Sequence, residues 1–161
     1  MATSLEELRV LQDAEQVADG IWRQVIGWDA FAREVVGGQL ARAADSIGAN
    51  IAEAFGRFHY GEKIQFLYYA RGSLFETKYW LNRAMKRQLL LADQATHYAS
   101  QLGEIARQLN TFAKSLKFQR KDNLRSTNTV RETLAEYEVV SDHPLFTEAE
   151  LAWLQTFVTG D

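Results

Sequence analysis

The sequence predicts an all-α protein, an antiparallel up-down-up-down four-helix bundle with a C-terminal extension. Three observations carry this. The one proline is Pro144, so nothing in the first 143 residues imposes the ring clash and missing donor that break a helix. Long stretches repeat their apolar residues every three or four positions, which places them on one helical face. Short polar or glycine-containing stretches separate these segments, and short connections make successive helices antiparallel neighbours.

The first helix is predicted between Leu5 and Trp28, where Leu8, Leu11, Ala18, Ile21, Trp22 and Val25 share a face. Gly27 and the pair Gly37 and Gly38 bracket WDAFAREVV, where the pattern lapses, so this segment is expected to be a connection. The second helix starts near Gln39, with Leu40, Ala44, Ile47, Ile51, Ala54 or Phe55, and Phe58 as its core stripe. After an FHYGE turn, a third helix is expected from about Lys63 to Arg87. Leu67, Ala70, Leu74, Leu81 and Ala84 form its core stripe, and Tyr68, Phe75 and Tyr79 form a second stripe about 100° away. A helix in a monomeric bundle buries one face, so the surplus aromatic stripe points to contact with another subunit. A wide core face with tyrosine hydroxyls reaching water accounts for the same periodicity. The fourth helix, capped by Asp93, carries Ala95, Tyr98, Leu102, Ile105, Leu109, Phe112 and Leu116 at regular spacing.

From Arg120 the periodicity lapses, so the chain divides into a bundle over residues 1–119 and an extension over 120–161. The first part holds 14 basic and 13 acidic residues; the second holds 4 basic and 8 acidic. The extension contains two short helical candidates, near Val130 to Val139 and from Glu148 to Val158. Thr147 and Glu150 have capping-box spacing at the start of the second, and Leu151, Leu154 and Phe157 or Val158 form its apolar face. Such a helix after a polar linker docks on its own bundle, a neighbouring subunit or a partner.

Composition narrows the function. The chain has 161 residues, 47% hydrophobic and 24% charged, which is enough for a core. There is no cysteine, which excludes disulfides, thiolate metal sites and cysteine nucleophiles and fits a reducing compartment. The N-terminus lacks the basic start and apolar run of a signal peptide, and no stretch is apolar enough to span a bilayer, so a cytoplasmic location is expected. Bundles can hold di-iron carboxylate sites, but no Glu-x-x-His pair occurs around His59, His97 or His143. Nucleophile-elbow, P-loop and dinucleotide fingerprints are also missing, so no enzyme, metal, cofactor or small-molecule substrate is expected.

Two polar constellations remain. Arg42, Ser46, Asn50, Glu53 and Arg57 share a flank of the second helix, opposite Arg71, Ser73 and Glu76 on the third. In an antiparallel pair Glu53 comes level with Arg71 and Arg42 with Glu76, so salt bridges are expected in a polar seam that fixes register; a ligand site is the alternative. Gly72 and Ser73 mark a spot where another backbone can approach closely. Basic residues collect at two opposite ends of the bundle: Arg83, Lys86 and Arg87, and then Lys114, Lys117, Arg120, Lys121 and Arg125. Both sets complement helix dipoles, and the second, with five positive charges in twelve residues, is the candidate for nucleic acid.

The segment GQLARAADSIGANIAEAFGR, followed by FLYYARGSLFE, resembles the four-helix bundle proteins also called 23S ribosomal RNA intervening-sequence proteins. Gln39, Leu40, Arg42, Ala43, Ser46, Ile47, Asn50, Ile51, Ala52, Glu53, Gly56 and Arg57 fit the first motif. Phe66, Leu67, Ala70, Gly72, Ser73, Leu74 and Glu76 fit the second. The resemblance spans roughly residues 8 to 119. Ala54, Gly48 and Ala41 depart from the glycine, proline and arginine common at those places. The resemblance implies a four-helix bundle without established activity, and related bundles assemble as homopentamers. A distant relative, the accessory variability determinant of diversity-generating retroelements, is a basic pentamer that works with a reverse transcriptase and nucleic acid. By that analogy the chain is expected to be an accessory or scaffold for structured RNA or DNA or for a reverse transcriptase. The competing expectation is a protein-interaction adaptor whose C-terminal tail docks a partner.

Overall fold

A computed structural model describes residues 8–126 and 143–157, with residues 124–126 as backbone. It is all-α: four long helices packed antiparallel and one short C-terminal helix. Helix α1 is Arg9–Val25. Helix α2 starts as Ala30–Ala32, passes through a π turn at Arg33–Gly37 and continues as Gly38–Gly56. Helices α3 (Tyr60–Lys86), α4 (Ala92–Ser126) and α5 (Glu148–Gln155) complete it. The bundle packs α1 on α2, α2 on α3, α3 on α4 and α4 back on α1, and α5 lies against α4.

The core is built from the expected stripes. Ile21, Leu40, Ile47, Ile51, Leu67, Leu74, Leu81, Leu102, Ile105 and Leu109 are nearly or wholly withdrawn from solvent. Burying each is worth roughly 1.5–3 kcal/mol, and this sum, rather than helix propensity, holds the layers together.

The connection expected at WDAFAREVV is instead helical. The Asp29 carboxylate accepts from the Ala32 N–H at 3.1 Å and caps α2 there. The π turn inserts a residue and rotates the buried face, which is why a 3.6-residue period is lost while Ala32, Val36, Gly37 and Leu40 all stay buried. Gly37 is needed where it stands: a Cβ there would sit 2.6 Å from Val25 Cγ1 on α1.

Several boundaries also move. Helix α2 ends at Gly56, so Phe58, expected in the core, is 91% exposed. Trp22, expected on the buried face of α1, is 56% exposed. Helix α3 begins at Tyr60, which shortens the FHYGE turn. It ends in a left-handed turn, with Gln88 at φ 61° and the Leu89 N–H bonded to Ala84 O at 2.9 Å. Asp93 is not the cap of α4 but lies in its first turn, where its charge suits the dipole; the Leu91 N–H is held by Gln94 Oε1 at 3.1 Å. Helix α4 continues through Arg120 to Ser126, so residue 119 falls inside a helix. The candidate helix near Val130 to Val139 lies outside the described residues.

Candidate nucleic-acid interface

Because α4 is 35 residues long and α1 only 17, the last turns of α4 run on beside the α2–α3 turn. Gln108 on α4 bonds Asp13 near the start of α1 at 2.7 Å, so residues after 113 project past α1. The Arg120 guanidinium lies over the Tyr60 ring, 4.7 Å from its centroid. Burial pushes the Tyr60 phenol above its usual pKa, against an opposing pull from Arg120, so the ring stays neutral beneath the cation. This contact brings the basic end of α4 to the turn that carries Phe58 and His59, whose rings meet edge to face at 5.4 Å.

Lys114 and Lys121 are exposed there, on either side of Phe118, which is 67% exposed. Lys117 donates to the His143 carbonyl at 3.3 Å. Arg125 lies on the same helix, and its side chain is outside the described residues. Lys63 donates to Phe55 O at 3.4 Å. Arg57 is occupied by Glu53 and Glu62 and lies over Phe66, so it adds little positive potential. Positive charge beside exposed aromatic faces is the chemistry that tracks phosphates and stacks unpaired bases. The face between α1 and α2 differs. A groove of about 480 Å³ between α1 and α2, floored by Ala14, Ala18 and Gly48, is rimmed by Glu15, Asp19 and Asp45, which repel phosphate.

The polar seam forms only in part. Asn50 Nδ2 bonds Ser73 Oγ at 3.3 Å across α2 and α3, and also Ser46 O at 2.9 Å. Ser46 and Ser73 turn their hydroxyls back onto Arg42 O and Tyr69 O in their own helices. The salt bridges expected for Glu53 with Arg71 and Arg42 with Glu76 are not among the described ion pairs. Glu53 is taken by Arg57 one turn away, and Arg71 turns to the other side of α3.

What Arg71 meets there is the C-terminal segment. Its Nε donates to Leu145 O at 2.9 Å, its Nη2 pairs with Glu150, and its guanidinium covers Phe75 at 4.7 Å and Phe146 at 5.8 Å. Asn110 on α4 clasps the Phe146 backbone both ways, at 2.8 Å from its carbonyl and 2.7 Å from its N–H. Phe75 stacks on Phe146 at 6.0 Å and on Trp153 at 5.3 Å, so the middle of the expected intersubunit stripe is covered by the chain's own tail. Tyr68 and Tyr79 remain half exposed. The capping box of α5 is complete, with Thr147 Oγ accepting from the Glu150 N–H and Glu150 from the Thr147 N–H. The Thr147 N–H holds the Glu150 carboxyl below its usual pKa, with help from Arg71.

Lys78, which the sequence reading passed over, is 2% exposed and donates to the Trp153 and Thr156 carbonyls at the end of α5. It lies 4.0 Å from the Phe157 ring centroid, and burial lowers its pKa to about 8. A released tail returns Lys78 to its ordinary 10.5, so between about 8 and 10.5 the released state holds more protons and rising pH favours docking. Amide exchange across residues 148–155 should therefore slow, beyond intrinsic pH effects, from pH 8 to 10; no such gain would contradict the assignment. Lys78, Asn110 and Phe146 escaped the sequence reading because their partners are distant in sequence, and Phe58 was read as core because the end of its helix at Gly56 was missed. The FH pair after a helix-ending Gly-Arg was the one local signal.

His59, His97 and His143 lie apart, and among the described residues no three His, Asp or Glu side chains gather as metal ligands. No described helix is long and apolar enough to cross a membrane. No individually curated protein matches the sequence. The family model of the 23S rRNA-intervening sequence proteins matches residues 6–111, which take in α1, α2, α3 and most of α4, and the chain belongs to that family.

Proposed function

We propose that this chain is a non-enzymatic, homo-oligomeric accessory protein of the cytoplasm that binds structured RNA through the basic end of its bundle. The observation that carries this reading is the Arg120–Tyr60 contact, which joins Lys114 and Lys121 to the 91% exposed ring of Phe58. The lysines neutralise phosphates and Phe58 stacks on an unpaired base, so a hairpin with an open loop is the preferred ligand over a blunt duplex. A reverse transcriptase or ribosomal nucleoprotein is the natural setting for such a scaffold, and the ring assembly of related bundles would multiply the contact.

The test is binding to an RNA hairpin in low salt. Lys114→Ala with Lys121→Ala should weaken it and lower the salt slope by about two, and Phe58→Ala should cost roughly 1–3 kcal/mol on the hairpin and little on the duplex. Absence of binding at low salt, or binding indifferent to the lysine pair, sinks the proposal. An adaptor role for the tail would use half-exposed Trp153 and would need Leu151 and Leu154 to leave the bundle. Loss of a co-purifying protein on deleting residues 140–161 would favour that reading instead.

A further inference from the structure

The C-terminal segment lies on the bundle as a peptide ligand lies on its receptor. Five of its main-chain groups are held by three bundle side chains: Arg71 takes Leu145 O, Asn110 takes Phe146 O and N–H, and Lys78 takes Trp153 O and Thr156 O. Main-chain contacts are open to any sequence of the same shape. Selectivity comes from Phe146, stacked on Phe75 beneath Arg71, from Glu150 paired with Arg71, and from buried Leu151 and Leu154. Gly103 on α4 leaves room for the approach of α5, since a Cβ there would run into the Gln155 side chain.

The seat is not fully satisfied by this segment. Asn82 continues the stripe of Arg71, Phe75 and Lys78 one turn further along α3. Its Oδ1 is buried and has no hydrogen-bond partner among the described residues, a costly state for an amide oxygen. The docked segment runs from the level of Arg71 to that of Lys78, so Asn82 stands where a ligand carrying on past α5 meets the bundle. Helix α5 itself has eight residues, too few to hold its shape away from the seat.

We propose that this face of α3 and α4 is a binding site for a peptide segment of a partner protein, and that the chain's own C-terminal segment occupies it as a competitor. The partner segment is a Leu-Phe pair followed by a capped helix with an acidic first turn and two leucines three residues apart, ending in a donor for Asn82. The tail here closes the site, the reverse of a tail that recruits, and RNA binding has no part in it.

Fluorescence anisotropy with a labelled peptide of residues 143–157 tests this on the full-length chain. In wild type the tethered tail competes at an effective concentration of about 1 mM. Peptide binding should therefore be on the order of a hundredfold weaker than to a chain with Phe146→Asp and Leu154→Asp, whose tail is released. Helical circular dichroism checks the bundle of that variant, and Phe146→Ala gives the same comparison if the double variant is not helical. In the released chain Gly103→Phe, which fills the seat from α4, should weaken the peptide roughly tenfold or more. A peptide extended by one glutamine, able to donate to Asn82, should bind about fivefold tighter, and Asn82→Leu should remove the gain. No binding to a folded, released chain, binding indifferent to Gly103→Phe, or no gain from the glutamine overturns the proposal. Gly103→Cys with Gln155→Cys, in a chain that has no other cysteine, should cross-link within one chain. Cross-links between chains would make a neighbouring copy's tail the occupant and overturn the partner reading.

Discussion

Replacing Phe146 by alanine is expected to release the C-terminal segment from the bundle and to lower stability by about 3 kcal/mol, the low end for a buried phenylalanine. The ring is 1% exposed, stacks on Phe75 and lies beneath Arg71. Its loss removes apolar burial and also uncovers Phe75. Arg71 keeps Leu145 O and Glu150 as partners, so its charge is not stranded, which limits the cost. Hydrogen exchange reads the outcome by region: amides of residues 148–155 should lose protection, while those around Ile47 and Leu74 should keep it. Unchanged protection in α5 would mean that the stack contributes nothing to docking.

Leu74→Ala should act on the whole molecule. Leu74 is fully withdrawn from solvent in the core stripe of α3, so truncation leaves a cavity and costs roughly 2–5 kcal/mol, depending on how far the site collapses. A loss of that size is a large share of the stability of a domain this small, about 5–15 kcal/mol. Denaturant melts should show a lower midpoint with an unchanged slope. Phe118→Ala, at a 67% exposed ring, should shift the midpoint little, and equal effects at the two positions would contradict the assignment of the core.

The bundle was legible because burial in long helices leaves a periodic trace. The Leu67, Ala70, Leu74, Leu81, Ala84 stripe and the one from Ala95 to Leu116 are buried where the spacing puts them, apart from partly covered Phe112. The Thr147 capping box was equally readable, because both partners lie within one turn. Other features fail to leave such a trace. The π turn at Arg33–Gly37 rotates the buried face by an extra residue, so a true helix reads as a broken pattern. Phe58 continues the α2 stripe in numbering, but the helix has ended at Gly56 and the side chain points out.

The site was less legible than the fold. The run from Lys114 to Arg125 is visible as charge, but its meeting with Tyr60 joins residues sixty apart in sequence. Arg71 has Glu53 as its partner by spacing and takes instead Glu150, which no helical register connects to it. Lys78 looks like an ordinary surface lysine, and only the docked end of α5 makes it a buried cation with carbonyl partners.

The proposed binding of RNA at the basic end of the bundle rests on phosphate neutralisation, which salt screens. The direct measurement is the affinity of the unmodified protein for an RNA hairpin as salt is raised from 50 to 200 mM, on a logarithmic plot, about the range over which phosphate contacts are screened. A straight line falling with a slope of about −2 to −4 is the predicted result, because Lys114, Lys117, Arg120 and Lys121 each displace roughly one counterion. A flat line, or no binding at the lowest salt, would contradict it.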